Sequence, residues 1–367
     1  MTTYRRWQVA RFGGGPGALE LVAAPLPSPG PGELLLRVLA ADATYTDLLI
    51  LAGNYPGVTR LPCTPGYCCS AEVAAVGAGV AAGAFAVGDA VLAMPGAGCA
   101  AEYVVLPAAW AVRAEGQASA ALVRARPALA ASLALTGVTA YQMLHREVGA
   151  ARLRAPGAAL LVHAAAGGTG AMLVQLAKLA GVAPARIVGT CSRGNLAAVQ
   201  ALGATAVCYE DRDWPAQARA ALGGGSSAGF SAVLDSVALE HYAAGVSLLA
   251  PGGLYVAYGL TCKAAPGSLP LPRAVALFAS LGLRHSVLHA CFGAADALFF
   301  DVKDRRNRLP AEYAEDARAL LQLAASGQLE VVVGATHRLA EYAGALRSIA
   351  EGRHRGKQCV LVAAELQ

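Results

Sequence analysis

The sequence predicts an α/β protein in two parts, a β-rich N-terminal domain and a doubly wound parallel sheet. Three observations carry that prediction. Short β-like runs recur through roughly the first hundred residues, and over 64–94 Gly-rich turns separate them at intervals of about 8 to 12 residues. From Pro127 onward the texture becomes helical, and strands then alternate with helices, as a parallel sheet requires. Within that second part, residues 160–181 read as a short apolar strand, a tight turn and a helix.

Taken in order, residues 4–12 alternate as a strand and 13–17 make a turn. Pro25, Pro27, Pro29 and Pro31 form an extended connector into a β run at 34–40. Residues 64–94 supply short strands suited to a small barrel. Helical periodicity over 128–145 places a domain boundary at Pro127. Strands are then expected at 160–163, 186–191, 206–209, 232–236 and 254–258, with helices at 214–222 and through 242–248. The pattern blurs over 261–308, apart from a candidate helix at 274–282. The tail predicts a helix at 312–325, a strand at 329–333, a helix at 340–349 and a last strand at 358–362.

The turn at Ala165-x-Gly167-x-x-Gly170 carries chemistry. Gly167 and Gly168 have no side chain to hold a pyrophosphate away, and the N–H groups opening the helix supply the counter-charge. Met172, Leu173, Leu176, Ala177 and Ala180 fall on one face of that helix. A dinucleotide is the expected ligand, although the first glycine of the fingerprint is Ala165. The next strand ends in Ser192-Arg193, with no acid to hold a ribose 2′-hydroxyl. A hydroxyl and a guanidinium suit a 2′-phosphate, so NADPH is expected over NADH. Arg193 as a solvated loop residue is the bland alternative.

Charged residues make up 14% of the 367 residues, net charge is +5 and mean hydropathy is +0.48. The longest stretch without Asp, Glu, Lys or Arg is 155–177, which holds the glycine turn, His163 and Gln175 and would span a bilayer poorly. No long basic run favours a nucleic-acid partner. The first residues lack the apolar core of a signal peptide, so the cytosol is the expected location. Nine scattered cysteines with no C-x-x-C pair support neither a disulfide framework nor a structural zinc cluster. His285 and His289 stand four apart, with no third ligand or general-base Glu beside them in sequence, which favours two ordinary histidines over a metal pair.

Several segments extend the picture: Pro-x-Pro-x-Pro-Gly-Glu at 27–33, Asp47 followed by Ala52-Gly53-x-Tyr55-Pro56, and Thr64-Pro65-Gly66-Tyr67. Further on stand Val73-x-x-Val76-Gly77-x-Gly79-Val80, Val87-Gly88-Asp89-Ala90-Val91 and Ala101-Glu102-Tyr103. Thr136-Gly137-x-Thr139-Ala140-Tyr141, the glycine turn, Leu249-x-Pro251-Gly252-Gly253 and Arg355-Gly356-Lys357-x-x-Val360 complete the set. In this order and spacing they resemble the quinone oxidoreductase-like branch of the medium-chain dehydrogenase/reductase superfamily, which also holds the zinc alcohol dehydrogenases.

The resemblance implies a GroES-like catalytic domain, 1–127 completed by 326–367, around a Rossmann domain at 128–325, with the active site in the cleft and often a homodimer. It also implies no zinc: Thr44 stands where zinc alcohol dehydrogenases carry a catalytic Cys, and Gly66-Tyr67-Cys68 where they carry Gly-His-Glu. Without those ligands no Lewis acid polarises an alcohol or simple ketone. The expected reaction is hydride transfer from NADPH to a quinone or an α,β-unsaturated carbonyl. Thr44, Tyr45 and Tyr55 are the expected catalytic residues, Tyr55 suiting either substrate contact or loop packing. The familiar quinone reductases have Asn at Thr44 and a second Tyr at Leu49, so the pocket differs here. On the cofactor side the resemblance assigns Thr139, with Ala257, Tyr258, Gly259 and Leu260, to the nicotinamide end. It assigns Ala166, Gly167, Gly168 and Thr169 to the pyrophosphate, Ser192 and Arg193 to the 2′-phosphate, and Tyr209 to the adenine. Lys357 would lie on the cleft floor, or be solvated. Leu196 stands where many relatives carry a phosphate-binding Lys, which leaves more of that work to Arg193. The alternative is a non-catalytic NADPH-binding protein, crystallin-like or vesicle-associated.

Overall fold

The computed structural model describes residues 2–55, 57–223, 229–260, 271–285, 296–353 and 356–362. The chain forms two compact units. One is built from Met1–Val138 and Val302–Gln367, the other from the described residues between them.

In the first unit β1 (Thr3–Val9) and β2 (Leu19–Pro25) make an antiparallel hairpin. The long strand β3 (Glu33–Ala43) organises the larger sheet. It pairs antiparallel with β4 (Cys69–Val76), which in turn pairs with β5 (Ala90–Ala93). Its other edge takes β6 (Tyr103–Pro107) along residues 33–37, while β7 (Ala111–Arg113) closes on β5. This is the GroES-like part of the fold. β3 is buried almost continuously rather than alternately, because the helix Pro127–Ser132 packs on it as well as on β4. Its run of Leu34, Leu35, Leu36, Val38 and Leu39 is the sequence counterpart.

The change of texture at Pro127 marks a change of secondary structure, not the edge of a unit. Residues 127–138 stay with the first unit because that helix lies on its sheet, and the helix Pro310–Ala325 joins it because it packs on the helix Gln117–Ala125 and on β7. The units accordingly divide after Val138 and before Val302, where the sequence suggested 127 and 326.

The second unit is an all-parallel six-stranded sheet. Its strands are β8 (Leu160–Val162), β9 (Ile187–Cys191), β10 (Thr205–Cys208), β11 (Phe230–Asp235), β12 (Leu249–Ala257) and β13 (Asp296–Phe299). They lie in the order β10-β9-β8-β11-β12-β13, with Leu161 opposite Val188 and Val233 opposite Leu161. Counted within the unit this is 3-2-1-4-5-6, the Rossmann order, and its reversal between β8 and β11 is where such sheets bind a ligand.

The tail returns to the first unit. β14 (Val333–Arg338) pairs parallel with β15 (Lys357–Leu361), which adds antiparallel to the end of β3. The tail strand expected at 329–333 begins only at Val333. Leu329 and Val331 are buried and Glu330 exposed, so the alternation is real but belongs to an extended approach that precedes the ladder. The hairpin strand β2, the helix Tyr45–Ala52 and β13 were not anticipated. Among the described residues no single helix is long and apolar enough to cross a bilayer.

Candidate functional site

In the second unit the chain leaves β8 through His163, Ala164, Ala165 and Ala166 and enters the helix Gly168–Leu179. His163 N–H donates to Leu234 on β11 and Ala165 N–H to Thr190 on β9, so the turn is pinned to both neighbouring strands. Ala164 adopts a left-handed φ of 52°, and Gly167 N–H donates back to its carbonyl. A Cβ on Gly170 would lie 2.7 Å from Ala165 Cα and clash with the Ala164 carbonyl oxygen, so only glycine lets the helix approach its strand. The departure at Ala165 is compensated across the sheet: a Cβ on Gly189 would stand 2.6 Å from Ala165 Cβ and 2.8 Å from Val199 Cγ1.

The helix N-cap is Gly167, and no side chain caps this end. With Gly167 exposed and Ala166, Gly168 and Thr169 half-buried, the backbone here is open to an anion. Ala257 is buried, while Tyr258, Gly259 and Leu260 are half-buried beyond the end of β12. Tyr258 N–H donates to Asp235, and a Cβ on Gly259 would sit 2.7 Å from the Ser236 carbonyl oxygen. Thr139 is 7% exposed. Tyr209 N–H bonds to Cys191. Arg193 is exposed, but its Nη2 donates to Asp211 at 2.7 Å and Glu210 lies 3.9 Å from its Nε. Acids from beyond β10 therefore meet the guanidinium that the end of β9 offers. Ser192 Oγ accepts from Asn195 at 2.9 Å.

Beneath these strand ends lies a buried cluster that the sequence did not disclose. His163 Nδ1 is 2.9 Å from Thr190 Oγ1, and its Nε2 is 4.0 Å from Asp235 Oδ2. His241 tilts against His163 at 4.8 Å and against Trp214 at 5.4 Å between ring centroids. Asp235 accepts from Val237 N–H and from the Tyr255 hydroxyl, both at 2.7 Å. Burial pushes its carboxyl above the ordinary value, against the pull of the Tyr255 hydrogen bond. The donor atoms of His163, Asp235 and His241 lie within 4.8 Å of one another. Neighbouring ligands of a tetrahedral zinc stand only about 3.4 Å apart, and both Asp235 oxygens already accept hydrogen bonds. The group fits a polar buttress tying β8, β9 and β11 together at their carboxyl ends. His285 Nδ1 pairs with Asp296 at 2.8 Å, while His289 lies outside the described residues.

In the first unit the segment after β3 opens the helix Tyr45–Ala52 with a reciprocal cap. Thr44 N–H and Thr44 Oγ1–H donate to Asp47 Oδ2 at 2.9 and 2.7 Å, and Gly66 N–H donates to Asp47 Oδ1 at 2.9 Å. The Thr44 hydroxyl proton, expected to meet a substrate, is committed to this cap. Tyr45 is half-buried and packs against the core. Gly66 (φ 94°) is held on both sides, since Cys99 N–H donates to its carbonyl and a Cβ there would stand 2.7 Å from Cys99 C. That fixes Tyr67, which is 3% exposed. Its hydroxyl lies 2.7 Å from that of Tyr55, the rings meet edge to face at 5.7 Å, and Lys303 Nζ stands 5.2 Å over the Tyr55 ring. Tyr67 was not among the expected catalytic residues, although it occupies the position where the zinc enzymes carry His.

The residues at that position do not fit a catalytic zinc. Thr44 and Tyr67 offer hydroxyls already used in hydrogen bonds. Burial and then the charge of Asp42 push the Cys68 thiol well above its ordinary value, and its Sγ–H donates to Ala131. Lys357 does not project into solvent. It is buried, its Nζ lies 2.8 Å from Asp42 Oδ2, and Ser132 Oγ–H completes the carboxylate at 2.8 Å. Burial opposes the ammonium charge, but Asp42, Cys359 and Cys68 together outweigh it and raise the Lys357 pKa.

Residues 30–116 match the alcohol dehydrogenase GroES-like domain, and residues 202–360 match the zinc-binding dehydrogenase family. A quinone oxidoreductase from Pseudomonas syringae pv. Tomato DC3000 superposes with a TM-score of 0.77 at 25% identity, covering 98% of this chain and 99% of its own. The chain belongs to the quinone oxidoreductase-like branch of the medium-chain dehydrogenase/reductase superfamily. The superfamily likeness extends to a mycobacterial protein whose structure was solved complexed with NADPH, with a TM-score of 0.75 at 26% identity over 98% of this chain and 99% of that one. In sequence, the human synaptic vesicle membrane protein VAT-1 homolog-like is 32% identical over 246 residues, 67% of this chain and 54% of that protein. The chain spans about half the length of the curated relatives of this kind.

Proposed function

We propose that this chain is an oxidoreductase that uses NADPH to reduce a quinone or an α,β-unsaturated carbonyl compound without zinc. The observation that carries the reading is the replacement of metal ligands by hydroxyls. Thr44 serves a helix cap, Tyr67 bonds to Tyr55, and Cys68 is held as a buried thiol. An alcohol or simple ketone needs a Lewis acid there; an acceptor with its own electron sink does not.

When bound, the dinucleotide supplies hydride. The protein's part in this reading is to hold and orient it. The uncapped amides at Gly167–Thr169 receive the pyrophosphate. The buttress of His163, Thr190 and Asp235 keeps the strand ends in register around that turn. Tyr55 donates a hydrogen bond to the acceptor oxygen as charge collects on it.

Arg193 is proposed to read the 2′-phosphate by exchanging its Asp211 partner for the ligand. Arg193→Ala is therefore expected to weaken NADPH binding by about tenfold, in line with the loss of one charge-assisted contact, while NADH binding changes little. Titration of cofactor fluorescence measures both, and equal losses would remove Arg193 from the phosphate site. The reading as a whole is tested by NADPH oxidation against a panel of quinones, enones and aldehydes.

The similarity to the VAT-1 homolog-like protein, together with the committed Thr44 proton, favours one second reading: a protein that binds NADPH without turning it over. In that case NADPH fluorescence responds to binding and no acceptor in the panel is reduced.

A further inference from the structure

We propose that Cys191 and Cys208 close into a reversible disulfide under oxidation by a peroxide, and that this bond holds Arg193 on its acidic partners. The consequence for cofactor binding rests on the Arg193 reading above; the bond itself does not. Cys191 is the last residue of β9 and Cys208 the last of β10, and they stand opposite each other in the parallel ladder. Neighbouring strands run about 4.8 Å apart, within the Cα separation of about 4.4–6.8 Å that a disulfide spans. β10 is the edge of the sheet, so its end can close on β9 without breaking a second ladder. Both side chains are buried, and the exposed Arg193 lies two residues beyond Cys191.

The two thiols act on each other and on the acids beyond them. Burial, then Cys208 and then Glu210, push the Cys191 thiol up to about 11. Cys208 Sγ–H donates to Glu210 Oε2 at 3.8 Å, and the same oxygen lies 3.9 Å from Arg193 Nε. The chains leaving the two cysteines are stitched together as well. Tyr209 N–H donates to the Cys191 carbonyl at 3.1 Å and Asp211 N–H to that of Cys208 at 3.2 Å, while Asp211 accepts from Arg193 at 2.7 Å. A disulfide takes the Cys208 hydrogen away from Glu210, which turns that carboxylate toward Arg193, and it braces the segment that carries Asp211. The exchange of Asp211 for a 2′-phosphate then becomes harder.

With hydrogen peroxide the step balances. Cys208 passes its proton to Glu210 and its sulfur attacks one peroxide oxygen; the O–O bond breaks, the other oxygen leaves as water with that proton, and a sulfenic acid forms. The Cys191 sulfur attacks the Cys208 sulfur, the S–O bond breaks, and a second water leaves with the Cys191 proton. Two thiols are oxidised to one disulfide, and one peroxide is reduced to two waters.

The test treats the cofactor-free protein with hydrogen peroxide, removes the excess, alkylates the remaining thiols under denaturing conditions and digests with trypsin. Cleavage after Arg186, Arg193 and Arg212 releases residues 187–193 and 194–212, each with one cysteine. Mass spectrometry is expected to find these two peptides joined, and separate once reduced. Fluorescence titration of the oxidised, undigested protein is expected to show NADPH bound about tenfold more weakly, the scale of one charge-assisted contact, with NADH little changed and recovery after dithiothreitol. Cys191→Ala and Cys208→Ala are expected to keep their NADPH affinity through the same treatment. The two peptides found only as separate alkylated species overturn the proposal, and so does a joined pair that leaves NADPH affinity unchanged in a protein that prefers NADPH. Equal affinity of the reduced protein for NADPH and NADH would instead defeat the Arg193 reading, and the joined peptides would still decide the disulfide.

Discussion

Gly170→Ala is expected to destabilise the second unit by about 2–3 kcal/mol and to weaken NADPH binding more than tenfold. The added methyl has no flexible side chain to displace. It meets the Ala164 carbonyl oxygen and Ala165 Cα, both backbone, and the turn is pinned on either side by hydrogen bonds to Leu234 and Thr190. The helix must therefore lift from the strand, and the amides proposed to receive the pyrophosphate move with it. Gly282→Ala is the control: a methyl at that position in the helix Leu271–Leu283 would meet nothing within 4 Å, and alanine there is expected to add up to about 1 kcal/mol. Denaturant melts and fluorescence titration read both variants. Wild-type stability and affinity in Gly170→Ala would mean that the turn is not closed as described.

Asp47→Ala is expected to cost about 3–5 kcal/mol, because it strands three buried donors, the Thr44 amide and hydroxyl and the Gly66 amide. In a unit of this size that lowers Tm by about 10 °C. The pH dependence has a definite sign. Burial raises the Asp47 carboxyl above its ordinary 3.8, outweighing the hydrogen bonds from Thr44 and Gly66 that pull it down. The folded chain thus binds this proton more tightly than the unfolded chain. The stability linked to it is fully present below 3.8 and is lost as pH rises through the raised folded value. Asp235 contributes in the same direction. In Asp47→Asn this slope disappears, so wild-type stability relative to that variant falls as pH rises through the window. A relative stability that climbs with pH would reverse the assignment.

Much of the second unit is legible in the sequence because its strands are buried on both faces. The runs at β8, β9 and β11 are therefore nearly all apolar, and each is bounded by a turn. Its last strand, β13, is four residues long, too short for its pattern to stand out from the blurred sequence around it. The cap at Thr44-x-x-Asp47 is a signal visible in sequence, but the resemblance drew Thr44 toward substrate when its proton is spent on the helix. Tyr67 could have been found from its place at a lost zinc ligand; that it meets Tyr55 depends on Gly66 and on a strand-to-loop path no periodicity encodes. His241 reaches His163 across more than seventy residues and carries no spacing signature. Lys357 illustrates the reverse. A basic run in sequence suggests solvent, and only the pairing of β15 with β3 shows that it faces Asp42 inside the sheet.

The most direct test follows the hydrogen itself. The purified protein, treated with a chelator, is given NADPH deuterated at both C4 positions together with an enone acceptor, and the product is examined by mass spectrometry and NMR. A reduced product carrying one deuterium on its β-carbon, formed at a rate unchanged by the chelator, is the expected result. Product without the label, or turnover that vanishes on chelation and returns with zinc, would contradict metal-free hydride transfer from the cofactor.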